Sequence, residues 1–285
     1  MKMKRSQSAM EYLMTYGWAI LILVVALSAF LMLGVFNYGS FTQKALPGTC
    51  SIFRPHGPGT SSLIQTQGVC TGLQPQYVAY LNGSQYLNLP VTPAYSTLTL
   101  SAWANLNSSD LANRQDILNT AGDFLNTQGG RLCFWVSGVN SAYVCSPAGI
   151  SSGKWYMLTA TYNGIAEGIY VNGTLVYSYY LSGTPTGAVE SGNIGACYHY
   201  CGGIGYVDGY IANVQYYKTA LSSNEIKSMY IDGIGGDPIS LQNIVAWWPL
   251  NDNGNDYSGN NYNATEVAAN AVQYTTNWQS GYSQT

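Results

Sequence analysis

The sequence predicts a long N-terminal α-helix followed by an all-β sandwich. Residues 12–36 contain no charged side chain, whereas the chain after about residue 48 consists of short alternating runs broken by Gly, Asn, Pro and Ser. Only 8% of the residues are charged, compared with about 25% in soluble proteins, and 25 residues are Tyr. This composition fits an extracellular β-protein better than a cytosolic enzyme. We divide the chain into a leader at 1–6, a hydrophobic helix at 7–38, a connecting segment at 39–75 and a β-domain at 76–285.

The apolar stretch at 12–36 is long enough to span a membrane. As a helix its 25 residues would extend about 37 Å, and a bilayer core is about 30 Å thick. A secretory signal peptide has a shorter apolar core. Lys2, Lys4 and Arg5 precede the stretch, as expected for the cytoplasmic flank of an anchor. A plain anchor does not explain Glu11, because a carboxylate held in hydrocarbon is unfavourable.

The segment Lys4–Val25, KRSQSAMEYLMTYGWAILILVV, resembles the class III signal peptide of type IV pilins and archaeal pilin-like proteins. The resemblance implies cleavage between Ser6 and Gln7, so that Glu11 becomes the fifth residue of the mature chain. Archaeal versions often begin Gln-x-Ser-x-Glu, and here Ser8 is displaced by one position. The resemblance further implies a membrane-inserted precursor that assembles into a helical homo-oligomeric filament, in which Glu11 approaches the amino terminus of a neighbouring subunit.

Six cysteines in neighbouring pairs favour an oxidising compartment. Six cysteines allow 15 pairings, and buried free thiols are the alternative. We predict nearest-neighbour pairing: Cys50–Cys70, Cys133–Cys145 and Cys197–Cys201. Cys133 and Cys145 flank a Ser-Gly-Val-Asn turn and would face each other across a hairpin. The Cys50–Cys70 bridge would close a loop in the Pro-rich connecting segment.

The region after residue 76 reads as a series of strands and one short helix. Asn172-Gly173 between alternating runs is a strong hairpin signal. Ser222 and Glu225 have the spacing of a capping box, and Gly233 would follow the helix that they begin. The predicted strands lie at 96–106, 131–138, 142–146, 154–163, 168–181 and 209–221. Many short strands with this spacing indicate a sandwich or jelly roll.

The order YVAYLNGSQYLNLP, TLTLSAWANL, KWYMLTATYNG, GIYVNGTLVYS and GYIANVQYYKTALSSNEIKSMY resembles a laminin-G-like, concanavalin A-like jelly roll over residues 76–265. Such domains bind sugars or proteins or act as spacers. The stretch at 243–265, NIVAWWPLNDNGNDYSGNNYNAT, resembles the segment that normally opens such a domain, yet here it comes last. Either the jelly roll is permuted and this strand closes its own sheet, which we favour, or the strand pairs with a neighbouring subunit.

Two groups of residues are candidate ligand sites. Asp252, Asn253, Asn255 and Asp256 offer closely spaced oxygen ligands of the kind that calcium prefers, although Asx-rich turns also occur without metal. Tyr198, His199 and Tyr200 between Cys197 and Cys201 would form an aromatic loop tip suited to stacking on sugars, or a packed loop without a ligand.

Further patterns limit the functional class. Asn-x-Ser/Thr glycosylation sequons occur at Asn82, Asn107, Asn172 and Asn263, and we expect Asn172, in a tight turn, to be the most exposed. The acidic residues are scattered and no Gly-x-Ser-x-Gly or phosphate-binding motif occurs, so we expect no catalytic residues and no cofactor other than calcium. The net charge of −3 argues against nucleic-acid binding.

The sequence therefore predicts a subunit of an extracellular archaeal type IV pilus-like filament, with an outward jelly roll for adhesion or cell–cell contact through surface glycans or proteins. The alternative is a single-pass, membrane-anchored, lectin-like surface protein that does not polymerise.

Overall fold

The computed structural model of the chain describes residues 16–17, 19–25, 49–57, 60–67, 74–107, 111–120, 122–186, 191–197, 201–267 and 271–282. The chain divides into two compact units, residues 1–47 and 48–285. In the first unit, residues 16–17 and 19–25 are helical. The remainder of the predicted helix at 7–38, together with Ser6, Gln7 and Glu11, lies outside the described residues. Within the described ranges, no helix has the length and apolar character needed to cross a bilayer.

The second unit is built almost entirely of strands. In chain order they are β1 Thr49–Gly57, β2 Thr60–Gln67, β3 Gln74–Pro75, β4 Val78–Asn82, β5 Leu87–Asn88, β6 Leu98–Leu106, β7 Gln115–Thr120, β8 Asp123–Gln128, β9 Arg131–Trp135, β10 Val144–Gly149, β11 Trp155–Tyr162, β12 Ala166–Val171, β13 Thr174–Tyr180, β14 Asn193–Ile194, β15 Asp208–Tyr217, β16 Ile244–Trp248, β17 Thr265–Glu266 and β18 Gln273–Thr275. Helix α1, Ser223–Asp232, and a 3₁₀ turn, Leu241–Asn243, lie between β15 and β16.

Two antiparallel sheets form the predicted sandwich. Within the described residues, one sheet has the order β10-β9-β8-β7-β14-β5-β17, and the other has the order β13-β12-β11-β6-β15-β4-β18 with β16 also paired to β15. A separate small sheet, β2-β1-β3, falls in the predicted connecting segment at 39–75. The all-β jelly-roll sandwich expected from the sequence is confirmed.

Strand β6 shows how alternation produces the layers. All of its residues are buried. Leu98, Leu100 and Leu106 belong to the core between the two sheets, while Trp103 points to the opposite face of the sheet and belongs to a second apolar cluster. A strand buried on both faces therefore lies at the centre of three layers, because successive side chains project to opposite sides.

The second apolar cluster is an aromatic layer on the outer face of the eight-stranded sheet. Helix α1 contributes Ile226, Met229 and Tyr230 to it. The ring of Tyr230 stacks on Trp103 with 5.7 Å between centroids. Trp155 donates a 2.8 Å hydrogen bond to the Trp278 carbonyl, so the C-terminal segment completes the cover of this face.

Helix α1 begins and ends as the sequence predicts. The Ser222 hydroxyl accepts a hydrogen bond from the Glu225 amide at 3.3 Å, and the Glu225 carboxylate accepts one from the Ser222 amide at 2.7 Å. Gly233 closes the helix at a φ of 88°. The Asn172-Gly173 hairpin is also confirmed, since both residues have positive φ and join β12 to β13.

The late strand β16 closes its own sheet. Residues Val214–Tyr217 of β15 pair with β16, whereas Asp208–Ile211 of the same strand pair with β4. Strands β4 and β16 therefore lie end to end along one edge of β15. Between the two pairings, Asn213 has a φ of 47°. Of the two alternatives for 243–265, the structure shows closure within the chain.

Strands β7 and β8 are missing from the sequence prediction. Their sequences, QDILNT and DFLNTQ, are rich in Asn, Asp and Thr, so they lack the apolar alternation that identifies a strand. Their polar side chains are nevertheless almost all buried. The structure therefore contains a polar buried surface on the seven-stranded sheet, described below.

Candidate functional site

The residues proposed for calcium lie in the loop that follows β16. The Asp256 carboxylate accepts hydrogen bonds from the amides of Trp247, Ser258 and Tyr262 and from the Ser258 hydroxyl, at 2.8–2.9 Å. This side chain ties the loop to β16. Within the described ranges, no three or more His, Cys, Asp or Glu residues are grouped so as to hold a metal ion.

The neighbouring Asn253 also organises this loop. Its amide oxygen accepts a hydrogen bond from the Asn255 amide at 2.9 Å, and Asp252 has a φ of 79°. Calcium at these positions stays a prediction.

Two of the three predicted disulfides are present. Cys133 and Cys145 are direct cross-strand partners on β9 and β10 and are bonded. Cys197 and Cys201 form the small loop expected from their spacing. Cys70, and with it the Cys50–Cys70 pairing, lies outside the described residues, as do the loop-tip residues Tyr198, His199 and Tyr200.

The sequons differ in accessibility from the prediction. Asn82 and Asn263 are exposed, whereas Asn107 and Asn172 are half-buried. Asn172 is not the most exposed, because its side-chain oxygen accepts a hydrogen bond from the Met157 amide at 2.9 Å and so folds back on β11. If the chain is glycosylated, Asn82 and Asn263 are the better sites.

A groove lined by tyrosines opens where the edge strands of the two sheets approach each other. Its volume is about 290 Å³. It is lined by Ser141, Ala142, Tyr143, Val144, Cys145, Tyr177, Tyr179 and Leu181. We call it the tyrosine groove. Tyr177 and Tyr179 of β13 are 37% and 45% exposed, which is unusual for two aromatic rings on one strand face and leaves their surfaces accessible to a ligand.

Tyr143 connects the groove to an aromatic and polar cluster on the seven-stranded sheet. Its ring lies 5.2 Å from Trp135 and 6.4 Å from Phe124, measured between centroids. The Arg114 guanidinium carbon lies 5.1 Å from the Tyr143 ring and 5.4 Å from the Phe124 ring. These contacts hold the wall of the groove in place.

Arg114 in turn is fixed by a buried carboxylate. Its guanidinium donates to Asp116 Oδ1 at 2.8 Å and 3.0 Å, and Asn126 donates to the same oxygen at 3.2 Å. Burial raises the pKa of Asp116 to about 6, although Arg114 and Asn126 oppose that shift. Burial likewise raises the pKa of the Tyr143 hydroxyl to about 12, so this ring is neutral at physiological pH.

A pair of acidic side chains lies in the interior behind the groove. Glu167 and Asp123 are 1% and 2% exposed. Burial raises the pKa of each to about 8, and the shift of Asp123 is increased by the charge of Glu167. Both carboxyls are therefore neutral at mildly acidic pH.

The groove offers aromatic faces, hydroxyl groups and backbone polar groups without a net charge of its own. Such a surface suits sugar rings, because their apolar C–H faces pack on the negative face of an aromatic ring while hydroxyls form hydrogen bonds. The interior carboxyls do not line the groove, and a general acid or base must reach the atom it serves.

The sequence gives little indication of this site. The only signal is the spacing of Tyr177 and Tyr179 in LVYSYYL, which places both on one face of a strand. Tyr143 is 34 residues from Tyr177 in the sequence, and nothing in its own neighbourhood indicates that the two approach each other.

Comparison with solved structures shows the same fold in other proteins. A candidate carbohydrate-binding protein from Bacteroides ovatus aligns with a TM-score of 0.58 and 16% identity, over 76% of this chain and 64% of its own length. A heptameric SAP-like pentraxin from Limulus polyphemus aligns with a TM-score of 0.50 and 16% identity, over 70% of this chain and 94% of its own. The chain thus spans less than two thirds of the Bacteroides protein. No protein of curated description matches the sequence.

The family assignment follows from the sequence match and agrees with the two-sheet fold. The family model Laminin_G_3, described as the concanavalin A-like lectin/glucanases superfamily, matches residues 81–227, just over half of the 285 residues. The chain belongs to this family of concanavalin A-like, laminin-G-type jelly rolls.

Proposed function

We propose that this protein binds carbohydrate through the tyrosine groove and displays that site on an extracellular filament of the archaeal type IV pilin kind. The observation that supports carbohydrate binding is the groove itself, where Tyr143, Tyr177 and Tyr179 present aromatic surface to solvent at the open side of a lectin-like sandwich. The Bacteroides relative, named for carbohydrate binding, adds support at the level of the fold.

The groove favours neutral glycans over anionic ones. Its lining contains no Lys or Arg, and the nearby Arg114 is already paired with Asp116. An anionic sugar would lose hydration without gaining an ion pair, which is unfavourable. We therefore propose uncharged sugars of surface polysaccharides or glycoproteins, bound for adhesion or cell–cell contact.

The filament part of the proposal depends on the N-terminal sequence alone. Glu11 stands at the start of the apolar stretch 12–36, after a short basic leader. Cleavage before Gln7 would create a positive amino group that a neighbouring Glu11 can pair with, which partly offsets the desolvation of both charges. The precursor would be membrane-inserted, and packing of the apolar helices would then hold the filament together.

We propose a binding role without catalysis. Glycosidases use two carboxyl groups that flank the scissile bond. Among the residues that line the groove there is no Asp or Glu, and Asp123 and Glu167 are buried within the sandwich.

The carbohydrate proposal is tested by replacing Tyr177 and Tyr179 together with Ala. Tyr180→Ala is the matched control, because Tyr180 is 83% exposed and projects from the opposite face of the same strand. The probes are immobilised neutral trisaccharides of glucose, mannose, arabinose and N-acetylglucosamine. Each aromatic contact is worth about 0.5–1.5 kcal/mol, so we expect the double variant to bind about 5- to 150-fold more weakly and the control to bind normally.

The proposal of carbohydrate binding is rejected if the wild-type chain binds none of these probes, or if the double variant binds as well as Tyr180→Ala. The filament proposal has its own test. N-terminal sequencing of the mature chain should begin at Gln7, and electron microscopy of shed material should show filaments that contain it. A chain that keeps Met1 and stays in the membrane would support the anchored, non-polymerising alternative.

A further inference from the structure

The interior pair of acids receives little compensation from neighbouring groups. Glu167 projects from β12 of one sheet and Asp123 begins β8 of the other, so the two carboxyls enter the core from opposite layers. Neither oxygen of Glu167 makes a hydrogen bond of ordinary geometry within the described residues. Asp123 Oδ1 accepts one bond, from the Ser137 amide at 3.0 Å. Two buried acids are unfavourable when ionised unless a partner compensates them.

Among the described residues, no Lys or Arg forms an ion pair with either of these acids. In the part of the chain that the structure describes, the ion pair is Arg114–Asp116, on the outer side of the seven-stranded sheet. The groups that interact with the acid pair are Tyr216 of β15, whose pKa is raised by burial and by the charge of Asp123, and the neutral amide of Asn140. On the neighbouring strand β11, the Tyr162 hydroxyl forms hydrogen bonds with the Gly164 and Gly183 carbonyls. On β9 and β10, the cysteines are disulfide-bonded and lie on the face of the sheet that points away from the core.

Glu167 is connected to the tyrosine groove on two sides. It is the direct cross-strand partner of Tyr179, and the side chains of cross-strand partners lie side by side on one face of the sheet. Asn140, which interacts with Glu167, donates a 3.3 Å hydrogen bond to the Ala142 carbonyl. The wall of the groove that contains Tyr179 is thus paired with the strand that carries Glu167. The opposite wall, which contains Ala142, is hydrogen-bonded to Asn140, the residue that interacts with Glu167.

Strand β13 is weakly held. It is an edge strand, with β12 as its hydrogen-bonded neighbour, and its residues are all exposed or half-buried. Segments with few buried contacts open locally at low free energy. A charge that appears beneath this strand is therefore relieved most easily by local opening there, where water can reach the carboxylate.

We propose that Glu167, with Asp123 opposite it, is a proton-operated latch of the tyrosine groove: the groove is formed when the pair is protonated, and it opens when Glu167 loses its proton. The effect of this latch on ligand binding rests on the proposed function of the groove, whereas the proton-dependent opening itself does not. It implies that the domain works best in an acidic medium.

The direction of the effect follows from proton linkage. In the unfolded chain both acids titrate near pH 4, whereas burial raises the pKa of each to about 8 in the folded state. The contribution of these two acids to the free energy of unfolding is therefore fully present below about pH 4 and is lost as the pH rises to about 8. In that range each buried acid lowers the folded-to-unfolded ratio by up to about tenfold per pH unit.

The test uses the full-length chain in detergent, wild type and Glu167→Gln, between pH 5 and pH 9. Two readouts are followed: urea unfolding monitored by Trp fluorescence, and amide hydrogen exchange of residues 174–180, corrected for intrinsic rates, with helix α1 as the internal reference. We expect the folded-to-unfolded ratio and the protection of β13 to fall with pH in the wild type. In Glu167→Gln we expect β13 protection to be constant and the stability slope to be reduced by about tenfold per pH unit.

Glu266→Gln is the control, because it replaces an exposed glutamate of the same unit and should behave as wild type. Asp123→Asn is the second variant in case Glu167→Gln does not fold, since its amide oxygen can still accept from Ser137. The latch is overturned if the stability of the wild type does not fall between pH 5 and pH 9, or if Glu167→Gln keeps the wild-type pH dependence of β13 protection. Where only Asp123→Asn folds, the proposal is overturned if that variant keeps the wild-type slope of stability with pH.

Binding of the neutral trisaccharide panel distinguishes this proposal from the proposed function. Binding that falls above pH 7 in the wild type and not in Glu167→Gln supports both. The expected exchange and stability results without binding of any probe at any pH support the latch and reject carbohydrate binding. Binding with the same pH dependence in both chains supports carbohydrate binding and overturns the latch.

Discussion

Asn213 should be among the polar residues most important for the stability of the sandwich. It lies where β4 and β16 meet end to end beside β15, and it is 6% exposed. Its side-chain oxygen accepts hydrogen bonds from Trp247 Nε1 at 2.8 Å and from Gln215 Nε2 at 2.9 Å. Its side-chain nitrogen, Nδ2, donates a hydrogen bond to the Gly236 carbonyl at 2.8 Å. One side chain therefore links β15, β16 and the loop after helix α1.

The expected effect of Asn213→Ala has two parts. Three buried partners lose their hydrogen bond, at about 1 kcal/mol each. Ala must also adopt the left-handed φ of 47°, which Asn tolerates better and which costs Ala about 1 kcal/mol. Together these lower the free energy of unfolding by about 4 kcal/mol. For a unit of this size the midpoint of thermal unfolding should fall by on the order of 10 °C.

Two companion variants separate these parts. Asn213→Gly removes the same hydrogen bonds without the Cβ, so it should be less damaging than Asn213→Ala by about 1 kcal/mol. Asn261→Ala is the control for backbone strain alone, because Asn261 has a φ of 62° and is exposed. Urea unfolding followed by Trp fluorescence measures all three. If Asn213→Ala and Asn261→Ala were equally destabilising, the hydrogen-bond network would contribute nothing and the reasoning would be refuted.

Three further predictions concern the cap of helix α1, the disulfide between β9 and β10, and the buried ion pair. Ser222→Ala should destabilise by about 1 kcal/mol in urea unfolding, since the Glu225 amide loses its cap; an unchanged midpoint would contradict it. Replacing Cys133 and Cys145 by Ala opens a loop of 12 residues and should destabilise by about 3 kcal/mol in the chain-entropy estimate; a loss below about 1 kcal/mol would refute that estimate here. Arg114→Ala should raise the pKa of Asp116 above its value of about 6, measured by carbon NMR of the carboxyl, and destabilise the protein more at pH 8 than at pH 5. The reason for that sign is that the folded carboxyl would hold its proton more tightly while the unfolded one titrates near pH 4. Equal destabilisation at both pH values would show that Arg114 acts only through packing.

Local patterns in the sequence were sufficient for the elements whose physics is local. Alternation at 98–106 identifies β6, Asn172-Gly173 identifies a hairpin that needs two positive φ angles, and Ser222 with Glu225 identifies a helix start. Each of these depends on residues within a few positions of one another, so the sequence contains all the information required.

Strands β7 and β8 show where local patterns fail. Their Asp and Asn residues read as turn formers, yet Asp116 and Asn126 are buried because Arg114 and a cross-strand row on the seven-stranded sheet supply their partners. A polar residue in a strand can be identified as buried only when its hydrogen-bond partners are known. Here strand pairing brings those partners together, so the sequence pattern alone does not reveal them.

By itself the sequence determined the jelly-roll class of the second unit, the helix cap, the hairpin and two disulfides, because these follow from periodicity, turn chemistry and short spacings. Only the tertiary structure decided which surface is the candidate site. Tyr143 and Tyr179 are 36 residues apart in the chain, and Asp123 and Glu167 are 44 apart. They meet because the two sheets pack face to face, and that packing is determined by the whole core rather than by the residues near any one of them.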